Sequence, residues 1–448
     1  MNPTKRVGFL AGAAALILTG GGFADTPDAT TDHLRVRVAE LEATVAELKG
    51  NQGDNWLTEQ RADEIRGLVQ DVLADADTRE SFLMQRGGGY DDGFVLGTGN
   101  FSLKINGQMQ IRYVWNDADG AASFGGDDHR WGFENTRTKL MFSGSVINSQ
   151  WGYYLEGNFG RDGGEFELDD AWISYDYGNG WSMTVGRYKD PLLREELVHS
   201  SKQLAVERSM VGEYFTNDRV QGLMVGYDAD AWRVRASVSN GPTGESAEAF
   251  SGEDTEFSFT NRIEGLISGN WDQFDDFTSP QNDEMGIMIG GAHHYSVAEY
   301  GTAGPPELEI NTLTVDISAE LGGMSFFGAF MYRTLDDDAA IDLDQTGIVL
   351  HGAYYLTPEW EIFGRYEWAD TDVTTDDDIS ILTVGVNYYL AGSGSGGVKW
   401  TTDVGIGLDG IPAFAAGTAG DQDITGFRAD GPGEDGQFVL RSQLQLTF

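Results

Sequence analysis

Four basic residues fall within one stretch of the chain, 189–218: Lys189, inside the string Gly186-Arg187-Tyr188-Lys189-Asp190-Pro191-Leu192, and Arg194, Lys202 and Arg208 after it. Ammonium and guanidinium groups can replace part of an anion's hydration shell, and closely spaced weak sites let the ion leave again. The same stretch carries Asp190, Glu195, Glu196, Glu207 and Glu213, so its bases could equally be held in ion pairs that fix the stretch in place. The six histidines, His33, His129, His199, His293, His294 and His351, give no support for catalysis, because no Gly-x-Ser-x-Gly nucleophile elbow accompanies them. His293 and His294, adjacent on an extended segment, point to opposite faces and make a poor metal pair. The chemistry to expect is holding and releasing small solutes, with no catalytic residue, no metal site and no cofactor.

What must position these residues is legible as period-two alternation. From Leu103 onward, segments of roughly ten residues recur with turn signals between them, the pattern of a transmembrane barrel. Sixteen are expected, at about 103–115, 134–147, 151–160, 166–177, 181–188, 219–228, 231–240, 256–271, 284–296, 307–321, 324–334, 345–356, 359–369, 379–390, 397–408 and 437–448. In the last, Phe438, Leu440, Leu444, Leu446 and Phe448 share one parity, and Arg441, Gln443, Gln445 and Thr447 the other. One face suits lipid and the other water. The terminal Phe448 is expected to serve as an assembly signal read by the outer-membrane assembly machinery. Short and long connections alternate, as they do in barrels of this kind; the 272–283 stretch is long for a short-side turn and leaves the register least secure there.

Charge falls in step with the alternation. Eleven bases sit in these segments at the polar parity and are expected to line the lumen: Lys104, Arg112, Arg137, Lys139, Arg233, Arg235, Arg262, Arg333, Arg365, Lys399 and Arg441. A lipid-facing Arg or Lys at mid-membrane costs about 2–4 kcal/mol, so a bilayer would impose this sorting. Acids join them at Glu156, Asp170, Glu264, Asp316, Glu361, Glu367 and Asp403. Aromatic residues, among them Trp115, Tyr177, Trp360, Tyr388 and Tyr389, gather toward segment ends, where interfacial girdles form.

The whole chain has 448 residues, a net charge of -43 and no cysteine. Such acidity argues against nucleic acid as a partner. The absence of cysteine excludes disulfides and thiolate chemistry. Lys5 and Arg6, the apolar run Val7 to Leu18 and the small-residue exit at Gly22-Phe23-Ala24 read as a signal peptide over 1–24. Leu34, Val38, Leu41, Val45 and Leu48 form a heptad seam, so 25–86 is expected to be a periplasmic helical, coiled-coil segment that self-associates as a homotrimer or binds the cell wall. Gly87-Gly88-Gly89 opens a linker over 87–102. The expected fold class is therefore all-β: a 16-stranded antiparallel transmembrane β-barrel over 103–448, embedded in outer-membrane lipids and preceded by that helical segment, with a constriction loop at 189–218.

The string Gly186 to Pro191, followed by Glu196-Leu197 and Glu207-Arg208, resembles the phosphate-selective porin O and P family of trimeric outer-membrane channels. The similarity runs from about residue 100 to the end. It implies a passive channel whose third external loop folds into the barrel, with Lys189, Arg194, Lys202 and Arg208 meeting a permeating solute such as phosphate or another anion. Set against this, residues from 87 onward hold 58 acids and 20 bases, once the 14 acids and 9 bases that precede them are set aside. That excess would repel phosphate unless the constriction screens it. The alternative is a general, weakly cation-selective porin that also tethers the outer membrane to the cell wall through its coiled coil.

Overall fold

The computed structural model describes residues 89–90, 93–98, 100–118, 128–161, 163–241, 253–300, 307–337, 341–373, 378–390, 397–412, 425–430 and 434–448. The expected signal peptide and coiled coil lie outside the described residues. Two short strands come first, β1 (Gly89–Tyr90) and β2 (Phe94–Thr98). The wall then runs β3 (Phe101–Asp117), β4 (His129–Ser145), β5 (Trp151–Phe159), β6 (Phe166–Gly178), β7 (Trp181–Lys189), β8 (Arg219–Asp228), β9 (Trp232–Ser239) and β10 (Glu253–Ser268). It continues with β11 (Gly286–Tyr300), β12 (Glu307–Glu320), β13 (Met324–Asp336), β14 (Asp342–Tyr355), β15 (Trp360–Asp370), β16 (Ile379–Tyr389), β17 (Val398–Gly407) and β18 (Phe438–Thr447).

Each strand from β3 to β18 pairs antiparallel with the next, and β18 closes onto β3, from Phe438 opposite Asp117 to Thr447 opposite Gln108. The result is a closed sixteen-stranded barrel, in which every wall strand from β3 to β18 is paired on both sides. All sixteen expected segments have their strand. Part of the expected linker differs: β2 lies along the start of β3, Phe94 opposite Ile105 and Thr98 opposite Phe101. The terminal Phe448 exchanges backbone hydrogen bonds with Gly107 at 2.8 and 3.0 Å. Its ring covers Gly107 so closely that a Cβ there would clash with a ring carbon, and it meets Phe94 edge to face at 6.2 Å.

Strand alternation sorts the side chains by solvent. Along β12, Leu313, Val315 and Ile317 are exposed, while Thr312, Thr314, Asp316 and Ser318 are buried. Apolar outside and polar inside is the inverse of a soluble sandwich and suits a wall set in hydrocarbon. Two of the β-bulges bear on the site. Gln110 pairs with Arg137 and Ile111 with Asn135, so Thr136 is unopposed. Trp131 and Phe133 therefore face outward, 70% and 77% exposed, while Arg137 and Lys139 face in. Likewise Glu156 pairs with Asp170 and Gly157 with Leu168, which skips Asp169 and turns two consecutive carboxylates inward. Tyr389 departs from the expected girdle: it is buried and donates to Glu361 inside the barrel at 2.6 Å.

Inside the wall lies the β7–β8 connection, with two short helices, α1 (Arg194–Leu197) and α2 (Met210–Phe215). The Ser209 side chain caps α2 by accepting from the Gly212 amide. Leu192, Leu204, Met210, Val211 and Phe215 of this loop pack on inward-facing Phe327, Met331, Val349, Phe363 and Ile381. The lumen thus holds an apolar core on the β13–β18 side in addition to its polar lining. The long β10–β11 connection also folds in, with Phe274 and Phe277 buried.

Candidate functional site

The third of the long connections, residues 190–218, is stitched to the wall nearly all the way around. Thr314 donates to the Leu192 carbonyl at 2.9 Å, Gln445 to Ser201 at 2.9 Å and Lys399 to Gln203 at 2.7 Å. Asn387 donates to Leu204 at 3.1 Å, Arg365 to Glu207 at 2.8 Å and Arg333 to Tyr214 at 3.0 Å. In the opposite sense, Asp403 accepts from the Val206 amide at 2.9 Å and Glu367 from the Val211 amide at 3.1 Å. An irregular segment inside a barrel carries backbone groups that need partners, and the inward side chains supply them. Lys399, Arg365 and Arg333, expected in the lumen, are thus engaged with the loop.

Between the loop and the β4–β8 wall a polar cavity of about 500 Å³ remains. Its bases are Arg137, Lys139, Arg161, Lys189, Arg208 and Arg219; its acids include Glu165, Glu167, Asp169, Glu196, Glu213 and Asp218. Every one of these bases has a carboxylate within ion-pair distance. Arg137 reaches Glu207 at 2.7 Å, Lys139 reaches Glu156 at 2.7 Å and Asp169 at 2.6 Å, and Arg161 reaches Glu134 at 3.4 Å. Lys189 and Arg208 share Glu196, at 3.2 and 3.1 Å, and Arg219 meets Asp170 at 3.0 Å and Asp218 at 3.1 Å. Burial would lift the Glu196 carboxyl, yet Arg208 and Lys189 together hold it below its usual range. For Glu213 burial wins: with Glu196 close by, its pKa is pushed up to about 8 despite Arg208.

Of the four bases expected to meet solute, the structure brings Lys189 and Arg208 to this cavity and places the other two elsewhere. Arg194 is 3% exposed; it donates to Ser318 at 2.8 Å and to the Phe274 carbonyl at 2.7 Å, and burial lowers its pKa to about 10. Lys202 is partly exposed, 3.7 Å from Asp275. Arg112 is buried between Glu134 and Glu207, Arg262 between Glu264 and Asp316, and Arg441 against Asp403 at 2.7 Å. Arg233 pairs with Glu264 and Arg235 with Asp228, while Lys104 is half-buried early in β3. The expected lumen acids, Glu156, Asp170, Glu264, Asp316, Glu361, Glu367 and Asp403, are all buried.

Asp169, Asp218, Arg161 and Arg219 line the cavity but were not singled out as site residues from the sequence. One signal was available for the first: the pair Asp169-Asp170 inside an alternating segment is a break in period two, which a bulge resolves.

A closed sixteen-stranded barrel, apolar outside, with its third long loop folded across the lumen, is the architecture of a porin-type channel. Residues 104–264 match the family described as Phosphate-selective porin O and P, in agreement with the resemblance read from the third-loop string. Solved structures similar to this chain include an anion-selective porin from Comamonas acidovorans, at 13% identity and a TM-score of 0.53 over 78% of this chain and 100% of that one. The outer membrane channel DcaP of Acinetobacter baumannii is 11% identical, with a TM-score of 0.53 over 81% of this chain and 100% of that one. The trimer form of OmpT from Vibrio cholerae is 10% identical, with a TM-score of 0.50 over 77% of this chain and 99% of that one. No curated protein matches the chain.

Proposed function

We propose that this protein is an outer-membrane diffusion porin, a passive channel for small polar and ionic solutes rather than an enzyme. The observation that carries this reading is the polar cavity beside the inward-folded third loop, open space held inside a closed membrane barrel. The ion-pairing of its bases adds a direction. Each positive charge is already compensated, and the exposed Glu165 and Glu167 add negative charge at the cavity, so a weak preference for cations is favoured over a phosphate site. The second reading, passage of phosphate or other anions, rests on the family match and on the concentration of Lys139, Lys189, Arg208 and Arg219 at one cavity.

In this proposal the end of the barrel that carries Phe448 faces the periplasm, where an assembly machine would read it, and the third loop enters from outside. Residues 25–86 would form the periplasmic coiled coil, joining three copies or binding the cell wall; the trimer form known for OmpT is consistent with such an assembly. Reversal potentials in planar bilayers under a salt gradient, with and without phosphate, test the reading. A weakly cation-selective current indifferent to phosphate is expected. An anion-selective current blocked by phosphate would favour the second reading, and no current would overturn the channel itself.

A further inference from the structure

The β10–β11 connection behaves unlike the other turns at its end of the barrel. Gly178-Asn179-Gly180, between β6 and β7, turns the chain in a few residues; 269–285 instead rises into the lumen. It is built to stay there. Asn270 and Gln273 form a reciprocal cap on a 3-10 turn over Trp271–Asp275. Phe277 then packs against Phe327 at 5.0 Å and His351 at 4.5 Å, and Thr278 bonds to Tyr355 at 2.7 Å and Glu361 at 2.8 Å. Ser279, 1% exposed, accepts from the Gly322 amide.

Above this segment sits Arg194 at the start of α1. Its guanidinium lies over the Phe277 ring at 5.2 Å and donates to the carbonyls of Phe274 at 2.7 Å and Asp276 at 3.3 Å. We propose that residues 269–285 form a second constriction element, latched to the third loop by Arg194, and that the two together close the β10–β16 side of the lumen and confine passage to the cavity beside β4–β8. Arg194 is on this account a positioning residue. Its planar fork suits two carbonyls and an aromatic face at once, which the point charge of a lysine would not. The inference rests on the channel reading for its consequence, but the latch itself does not.

The test uses the full chain, whose lack of cysteine gives a silent background. Ser279→Cys is made alone and with Arg194→Ala, and folded barrels are treated with a bulky thiol reagent; a third variant replaces 272–283 by an Asn-Gly turn and keeps Arg194. Ser279→Cys should resist labelling alone and react once Arg194 is removed, and the shortened variant should conduct about twofold more than the parent. Equal labelling in both backgrounds, or unchanged conductance in a shortened barrel that keeps its heat-resistant folded mobility, would overturn the proposal. If Arg194→Ala fails to fold, the shortened variant still decides. If the two Ser279→Cys proteins label as expected but the parent carries no current, the channel reading is defeated and the latch stands.

Discussion

Arg137 on β4 and Glu207 in the third loop meet in a two-point ion pair, Nη2 to Oε2 at 2.7 Å and Nη1 to Oε1 at 3.0 Å. Arg112 joins the same carboxylate at 2.7 Å. Burial would raise the Glu207 pKa, but the two guanidiniums hold it below the usual carboxylate range. Both bases lose their common partner if Glu207 is truncated, and breaking a buried pair costs about 3–5 kcal/mol. Glu207→Ala should lower the temperature at which the folded barrel loses its compact electrophoretic mobility and should add flicker to the single-channel current as the loop loosens.

Glu213 makes the cavity sensitive to pH. With its pKa pushed up to about 8, chiefly by burial and by Glu196, it is neutral at pH 7 and ionises as the pH rises through that value. The cavity then gains a negative charge, so cation preference should grow between about pH 7 and 9. Glu213→Gln should flatten that rise while conductance at pH 6 stays near the parent's. The stability link runs the other way. The folded state holds this proton more tightly than the unfolded chain does, so its contribution is present below the ordinary value of 4.5 and lost as pH climbs through about 8.

The bulge at Asp169 makes a separate prediction. Because Asp169 meets Lys139 and Asp170 meets Arg219, neutralising both acids takes one carboxylate from each of two cavity bases, leaving Lys139 with Glu156 and Arg219 with Asp218 and making the cavity less negative. Asp169→Asn with Asp170→Asn should move the zero-current potential toward anion selectivity, and phosphate should begin to reduce the current. An unchanged potential would mean that these groups lie off the route.

The sixteen strands were readable because a bilayer and a wet lumen demand opposite side chains on alternate residues, as β12 shows from Thr312 to Ser318. Arg112, Arg262 and Arg441, at the polar parity, are buried with carboxylate partners. Such partners were not legible in the sequence, since Arg112 to Glu207 and Lys399 to Gln203 join positions far apart in the chain. Phe327, Met331, Val349 and Ile381 point inward against the simple rule because the third loop brings its own apolar face to cover them. Arg194 was the harder case. Its type and position fit a solute contact as well as a latch, and the segment it grips could be recognised in the sequence only as a turn too long for its place.

Removing residues 25–86 separates the two roles given to the chain. If the segment is a periplasmic tether or trimerising stalk, the truncated protein should keep its conductance and selectivity while losing cell-wall attachment or higher oligomers on gentle extraction. Loss of current in a barrel that still folds would place part of the channel in that segment.

The most direct test of the central claim, that solute moves between the third loop and the β4–β8 wall, is current block at single introduced cysteines. Asn158 lines the cavity, whereas Ser296 is buried inside the barrel on β11, away from it. A charged thiol reagent applied during recording should step the current down with Asn158→Cys and leave it unchanged with Ser296→Cys. Block at Ser296→Cys with none at Asn158→Cys would contradict the account and put the passage on the opposite side of the lumen.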